Sequence, residues 1–177
     1  MRLDSTPRGG TYFRLFKPGW TDPLDALYSM RNGGRWTPKG EFGAVYLNAT
    51  LAVAAANARM QHSGRAIGLF DLLPNKRPSL LDVEVPSAPV ADIVSSGGIA
   101  AAGLPHDYPF GVGHAACWPV ACAAYADAAI AGIACRSSAE CTSTRFSGEE
   151  LAWFDRSPRP AELRRRTFEE WYSEPHP

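Results

Sequence analysis

The sequence predicts an α+β fold, a single domain with a mixed central sheet and flanking helices. Three observations predict it. Short runs of strand formers alternate with helical patterns at irregular spacing, unlike the even rhythm of a doubly wound parallel sheet. One alanine-rich stretch, 50–62, has the capped start and glycine stop of a helix. A length of 177 residues suits one domain that buries most of the surface its unfolded chain would expose. No glycine fingerprint or P-loop follows any strand, which disfavours the two most frequent nucleotide-binding folds.

Taken in order, residues 1–10 read as an N-terminal extension, 11–157 as the domain and 158–177 as a peripheral tail with a helix over it. A first strand is predicted over 11–15, where Tyr12, Phe13 and Leu15 are good strand formers. Asp22 and Pro23 fit the N-cap and first position of a short helix over 22–30. The run Asn32-Gly33-Gly34-Arg35-Trp36-Thr37-Pro38-Lys39-Gly40 reads as a loop in which the backbone passes close to a neighbour. Strands are predicted over 44–47, 67–72, 79–85, 130–135 and 151–154, and helices over 50–62 and 119–129. Residues 92–103 read as a short helix and 104–113 as a loop rich in proline and glycine.

Eighteen basic residues balance eighteen acidic ones. A zero net charge argues against direct nucleic-acid binding, which draws on a basic surplus, but leaves room for a small anion held by a few local arginines. The opening residues lack the apolar centre of a signal peptide and no apolar run has the length of a membrane span, so the expectation is a cytoplasmic chain without a membrane partner. Cys117, Cys122, Cys135 and Cys141 lack the paired spacing of a zinc site. They read as reduced thiols, and no metal is expected.

Two arginines stand out. Arg14 lies within an apolar strand, on the face opposite Phe13 and Leu15 and the same face as Tyr12. It is either an ordinary surface arginine or one aimed into a cleft, where its planar fork would grip a phosphate. Arg35 follows two glycines and precedes Trp36, a combination that serves either a ligand contact or a simple turn. His114, in a glycine-rich loop, is either a structural histidine or one bordering a pocket.

The segment Gly33-Gly34-Arg35-Trp36-Thr37-Pro38-Lys39-Gly40, followed by Val45-Tyr46-Leu47 and the alanine-rich helix, resembles the RES family of bacterial toxins. The resemblance runs from about Tyr12 to Phe154. It implies a fold like that of ADP-ribosyltransferases and cleavage of the nicotinamide–ribose bond of NAD, by hydrolysis or phosphorolysis, with NAD as substrate. It implies as partner an Xre-type helix-turn-helix antitoxin; a homodimer is the other association considered.

Carried over by motif, Arg14 and Arg35 correspond to the family's two arginines, which would neutralise the pyrophosphate. Tyr46 corresponds to the aromatic after the loop, which would stack on a flat ring, and Ser137 to a serine after the penultimate strand, which would donate to a ribose or phosphate. Tyr46 as plain core and Ser137 or Ser138 as a strand-end cap are the alternatives. The family's glutamate falls at Asn57, which has no charge to stabilise an oxocarbenium-like state. Glu149 and Glu150 are the leading substitutes, with Glu41 and Asp71 behind them. They also open a second reading, a transferase of ADP-ribose built on the Arg, Ser-Thr-Ser and Glu-x-Glu pattern, against which Thr142-Ser143-Thr144 and Gly148-Glu149-Glu150 match imperfectly. A third reading is a catalytically silent module that binds a nucleotide or an antitoxin.

The thiol reading has a direct check: counting thiols on the denatured, unreduced protein should return all four cysteines, and a count of two or none would overturn it.

Overall fold

The computed structural model describes residues 2–142 and 145–172. Ser143 and Thr144 of the Thr142-Ser143-Thr144 triplet, and tail residues 173–177, lie outside the described residues. Strand pairing begins earlier than the sequence predicts. The first strand, β1, is Ser5–Phe16, so most of the stretch read as an extension is already in the sheet. Gly9 permits this early start. A side chain there would sit 2.6 Å from the Ser87 backbone across the strand pair.

The remaining strands are β2 (Ala44–Asn48), β3 (Ser79–Ile93), β4 (Gly132–Arg136), the small hairpin β5 (Cys141–Thr142) and β6 (Arg145–Phe146), β7 (Glu149–Phe154) and β8 (Ala161–Arg166). The six-stranded sheet runs β1-β2-β7-β4-β3-β8, and β1 also pairs along the length of β3. The pairings β1–β2, β2–β7, β7–β4, β4–β3 and β3–β1 therefore close into a ring. Only β3 with β4 is parallel, which makes the sheet mixed, as expected.

The period of two along each strand divides the side chains between the ring's interior and its outer faces. Tyr12 and Phe16 of β1, Val45 and Leu47 of β2, Leu81 and Val83 of β3, Ala134 of β4 and Leu151 and Trp153 of β7 meet inside. Outside, helices α3 (Ser96–Ala101) and α4 (His114–Ala126) cover Ile93, Ile133, Cys135 and Phe154. Helix α2 (Leu51–Met60) lays Ala54, Ala55 and Ala58 against the outward residues of β1 and β3. Thr50 caps it, its hydroxyl accepting from the Val53 N–H.

Further elements differ from expectation, β3 outrunning the predicted 79–85 and α4 starting five residues before the predicted 119. Residues 67–72 form a single 3-10 turn, Leu69–Asp71, whose start is held by Asp71 accepting from the Gly68 N–H. The predicted helix over 92–103 is shorter, because β3 runs on to Ile93 and Asp92 turns the chain by accepting from the N–H groups of Val94 and Ser95. Helix α1 occupies Leu27–Asn32, later than predicted, since Asp22 caps a preceding turn at Leu24 and Asp25 accepts from Leu27. The stretch after 158 is β8 followed by α5 (Phe168–Trp171), not a peripheral helix. An ion pair of Arg166 with Asp82 ties β8 to β3, and Phe168 and Trp171 are buried against α2.

Trp171 is fully enclosed and its indole N–H donates to the Pro78 carbonyl at 3.0 Å. Trp171→Ala should cost about 3–5 kcal/mol of unfolding free energy in urea; a loss below about 1 kcal/mol would mean that this end of the chain is not part of the cooperative unit.

Candidate functional site

The glycine–arginine loop is a tight turn braced from two sides. The Gly34 N–H donates to Thr37 O at 2.9 Å, closing Gly34 to Thr37 in a bridge. The Tyr46 hydroxyl from β2 accepts from the Trp36 N–H at 2.9 Å and bonds the Thr37 hydroxyl at 3.0 Å. Trp118 of α4 donates its indole N–H to Gly34 O at 3.0 Å. A side chain at Gly34 would come within 2.5 Å of the Tyr46 oxygen, so the approach requires glycine. Burial pushes the Tyr46 hydroxyl up to about 12, which keeps it neutral. The hydroxyl of Tyr46 thus anchors the loop, a role the ring-stacking expectation did not include.

Trp36 drives the loop into the core. Its ring is almost wholly enclosed and its N–H donates to Cys135 Sγ at 3.1 Å. Arg35 is left half-buried, with its guanidinium 5.8 Å from the Tyr108 ring centroid and Nη1 3.5 Å from Val112 O. His114, at the start of α4, lies in the field of Arg35; burial and that positive charge hold its imidazole below the ordinary range, so it is neutral at pH 7. Burial likewise pushes the Cys117 and Cys135 thiols up, away from thiolate. All four cysteines are unpaired thiols.

A second cluster adjoins this loop through Cys135. Register places Glu150 between Asn48 of β2 and Cys135 of β4, all three on one face of the sheet with Tyr46. Asn57 reaches down from α2, and its amide donates to Asn48 Oδ1 at 2.7 Å and to Glu150 Oε1 at 3.0 Å. Asn48 in turn donates to Phe13 O. Asn57 and Glu150 are both half-buried, so the carboxylate keeps access to solvent.

Ser137 is fully buried one helical turn away, beside Val53. A Cβ built on Gly148 would touch both Ser137 Cβ and Val53 Cγ2 at 3.0 Å. Its hydroxyl accepts from the Ala139 N–H, which is the strand-end cap considered from sequence.

Arg14 is not brought to this face. Phe13 pairs with Asn48, so Arg14 points to the opposite side, into the strand ring with Tyr12 and Phe16. It is 7% exposed, and its Nε and Nη1 are buried without a hydrogen-bond partner. Burial pulls its guanidinium down to about 10, with the charges of Asp22 and Asp25 opposing. Glu149 also faces the interior side, locked by the Arg8 fork at 2.7 and 2.9 Å. Asp71 is engaged by its own turn and Glu41 is exposed. Among the described residues no group of three or more His, Cys, Asp or Glu could hold a metal ion, and no helix is long and apolar enough to cross a membrane.

Sequence reasoning missed Asn48, Tyr108 and Trp118. Asn48, a polar residue closing an apolar strand two positions before a helix cap, carried a readable signal; the other two depend on how the loop 104–113 folds back.

A family model described as RES domain matches residues 11–173. No curated protein matches the chain. A chain of the crystal structure of the M. tuberculosis MbcT–MbcA toxin–antitoxin complex is similar in fold, with a TM-score of 0.74 at 19% identity, over 92% of this chain and 86% of that one.

Arg14 supplies a test of its own. A buried guanidinium with two nitrogens lacking hydrogen bonds and only the nearby charges of Asp22 and Asp25 to offset its burial destabilises the fold, so Arg14→Met should raise stability by about 1–3 kcal/mol, read as a higher urea midpoint with unchanged slope; a fall in the midpoint would mean that the guanidinium is well compensated.

Proposed function

The chain belongs to the RES domain family, and on that premise we propose that it binds NAD and cleaves the nicotinamide–ribose bond on the face shared by Arg35, Asn57 and Glu150. The observation that carries this reading is the Asn57 amide bonded to the Glu150 carboxylate. A residue without charge on the helix holds a charged one on the neighbouring strand, in the same small volume. The negative charge missing at 57 is thereby present at 150.

In the reaction the C1′–N bond breaks and its electron pair leaves with the pyridinium nitrogen, releasing neutral nicotinamide. Positive charge develops on the ribose ring, where the Glu150 carboxylate stabilises it. Water then adds at C1′ and gives up a proton to solvent, or a phosphate oxygen adds there with its own electron pair. Arg35, half-buried beside Tyr108, offers the planar fork that a pyrophosphate oxygen needs. Arg14 faces away and does not share that contact. His114, neutral near pH 7, can accept or donate a hydrogen bond without adding charge. Ser137 acts by shaping the strand end beneath α2.

The transferase reading would use the same Glu150 with a different acceptor at C1′. Glu149 is unsuited to it, being held by Arg8 on the other face. An antitoxin partner is the association this reading expects, supported by a fold shared with a chain of a toxin–antitoxin complex. An Xre-type protein covering the face of Glu150 is the arrangement expected.

Following free nicotinamide from NAD, with and without phosphate, tests the reading. Glu150→Gln should lower the rate by about 10²–10³. Moving the charge back to the helix, in Asn57→Glu/Glu150→Gln, should recover a large part of it. The single change Asn57→Glu should not help, since it sets two carboxylates against each other. A parent protein that releases no nicotinamide under either condition would sink the enzyme and leave the silent binding module.

A further inference from the structure

A groove of about 750 Å³ lies outside the Glu150 cluster, at the end of β1 and beyond the C-terminal end of α2. That volume is in the range of small-molecule sites. Its walls include Lys17, Trp20, Tyr28, His62, Arg65 and Lys76. Neither Arg35, Asn48, Asn57 nor Glu150 lines it. The groove therefore shares none of these residues with the reaction proposed above.

Its charge is one-sided. Lys17, Arg65 and Lys76 carry three positive charges, and no acidic residue is among the lining side chains. Among the described residues the side chains of these three make no hydrogen bond or ion pair. The chain as a whole is neutral, so a patch of three free cations without a counterion is a local concentration of charge. Such a patch attracts an anion, and its low-dielectric walls strengthen the attraction.

Two further features narrow the ligand. Trp20 and Tyr28 stand together, ring centroids 5.6 Å apart at 45°, and Tyr28 is 55% exposed. The exposed Tyr28, backed by the half-buried Trp20, offers a ring face on which a flat base can stack. His62 Nδ1 is buried without a hydrogen-bond partner, a polar atom that a ligand group could satisfy.

We infer that this groove binds a nucleoside diphosphate, with the base against Trp20 and Tyr28 and the phosphates among Lys17, Arg65 and Lys76. It is a second nucleotide site, built from residues other than Arg35 and Glu150. Phosphate oxygens suit lysine ammonium groups as point charges and the arginine as a fork.

Calorimetric titration of ADP, adenosine and inorganic phosphate into the intact protein tests the assignment. ADP should bind, and adenosine and phosphate alone should each bind at least ~10-fold more weakly. Lys17→Ala/Lys76→Ala should weaken ADP by ~10-fold or more, and Trp20→Leu should weaken ADP and adenosine but not phosphate. The lysine change should also flatten the loss of ADP affinity with added salt. Arg35→Lys and Glu150→Gln should leave ADP affinity in the groove unchanged, and the lysine double variant should release nicotinamide at the parental rate.

Three results would overturn the inference: no ADP binding to the parent, ADP affinity unaffected by the lysine pair, or equal losses in the lysine pair and in Arg35→Lys. The last would merge the groove with the Arg35 face. Failure of NAD cleavage would touch none of these outcomes.

Discussion

The register between β2, β7 and β4 is the constraint on which the rest of the site depends. Because side chains alternate at a period of two, a slip of one residue in β7 would exchange Glu149 and Glu150. Glu150 would then enter the ring and Glu149 would meet Asn57. The register is held from both sides, by Trp153 and Leu151 facing the ring interior and by Ala152 and Phe154 facing α4. Two adjacent carboxylates thus have unrelated surroundings: one is fixed in an arginine fork, the other bonded to a helix amide and open to solvent.

The glycine–arginine loop shows the same dependence of chemistry on packing. Arg35 is positioned by what its neighbours bury. Trp36 enters the core against Cys135, Tyr46 bonds the backbone at Trp36, and Trp118 holds the carbonyl of Gly34. The arginine is what remains outside when those contacts are satisfied. Tyr108 faces it, and among the described residues Arg35 makes no ion pair and only a long bond to the Val112 carbonyl, which leaves most of the fork available to a ligand.

Much of this arrangement was legible in the sequence, and the rest has identifiable causes. Helix α2 could be read because Thr50 caps it and alanines fill it, and the loop could be read from Gly33-Gly34-Arg35-Trp36. Alternation placed Arg14 with Tyr12 and opposite Phe13, as found. Periodicity does not say which face of a strand becomes the inside of a ring, however, and so Arg14 was grouped with Arg35 although the β1–β2 pairing separates them. Residues 67–72 have the apolar spacing of a strand, yet Asp71 turns the chain there. The last segment has charged residues on its exposed face, and only its pairing with β3 makes it a strand. Asn57 alone brings no charge to the helix, and the carboxylate that it contacts, Glu150, lies 93 positions away, beyond the reach of local spacing.

The closed ring has a consequence for the birth of the protein. Strand β1 begins at Ser5, but the ring is joined only when β7, at Glu149–Phe154, inserts between β2 and β4. Every strand that borders the Asn57 face therefore lacks a neighbour until β7 has been made, long after β1. Contacts so distant in sequence form slowly and last. A nascent or prematurely terminated chain carries the loop and the helix but neither Glu150 nor its register. A chain that stops before β7 can complete neither the ring nor the Asn57–Glu150 contact on which the proposed reaction rests.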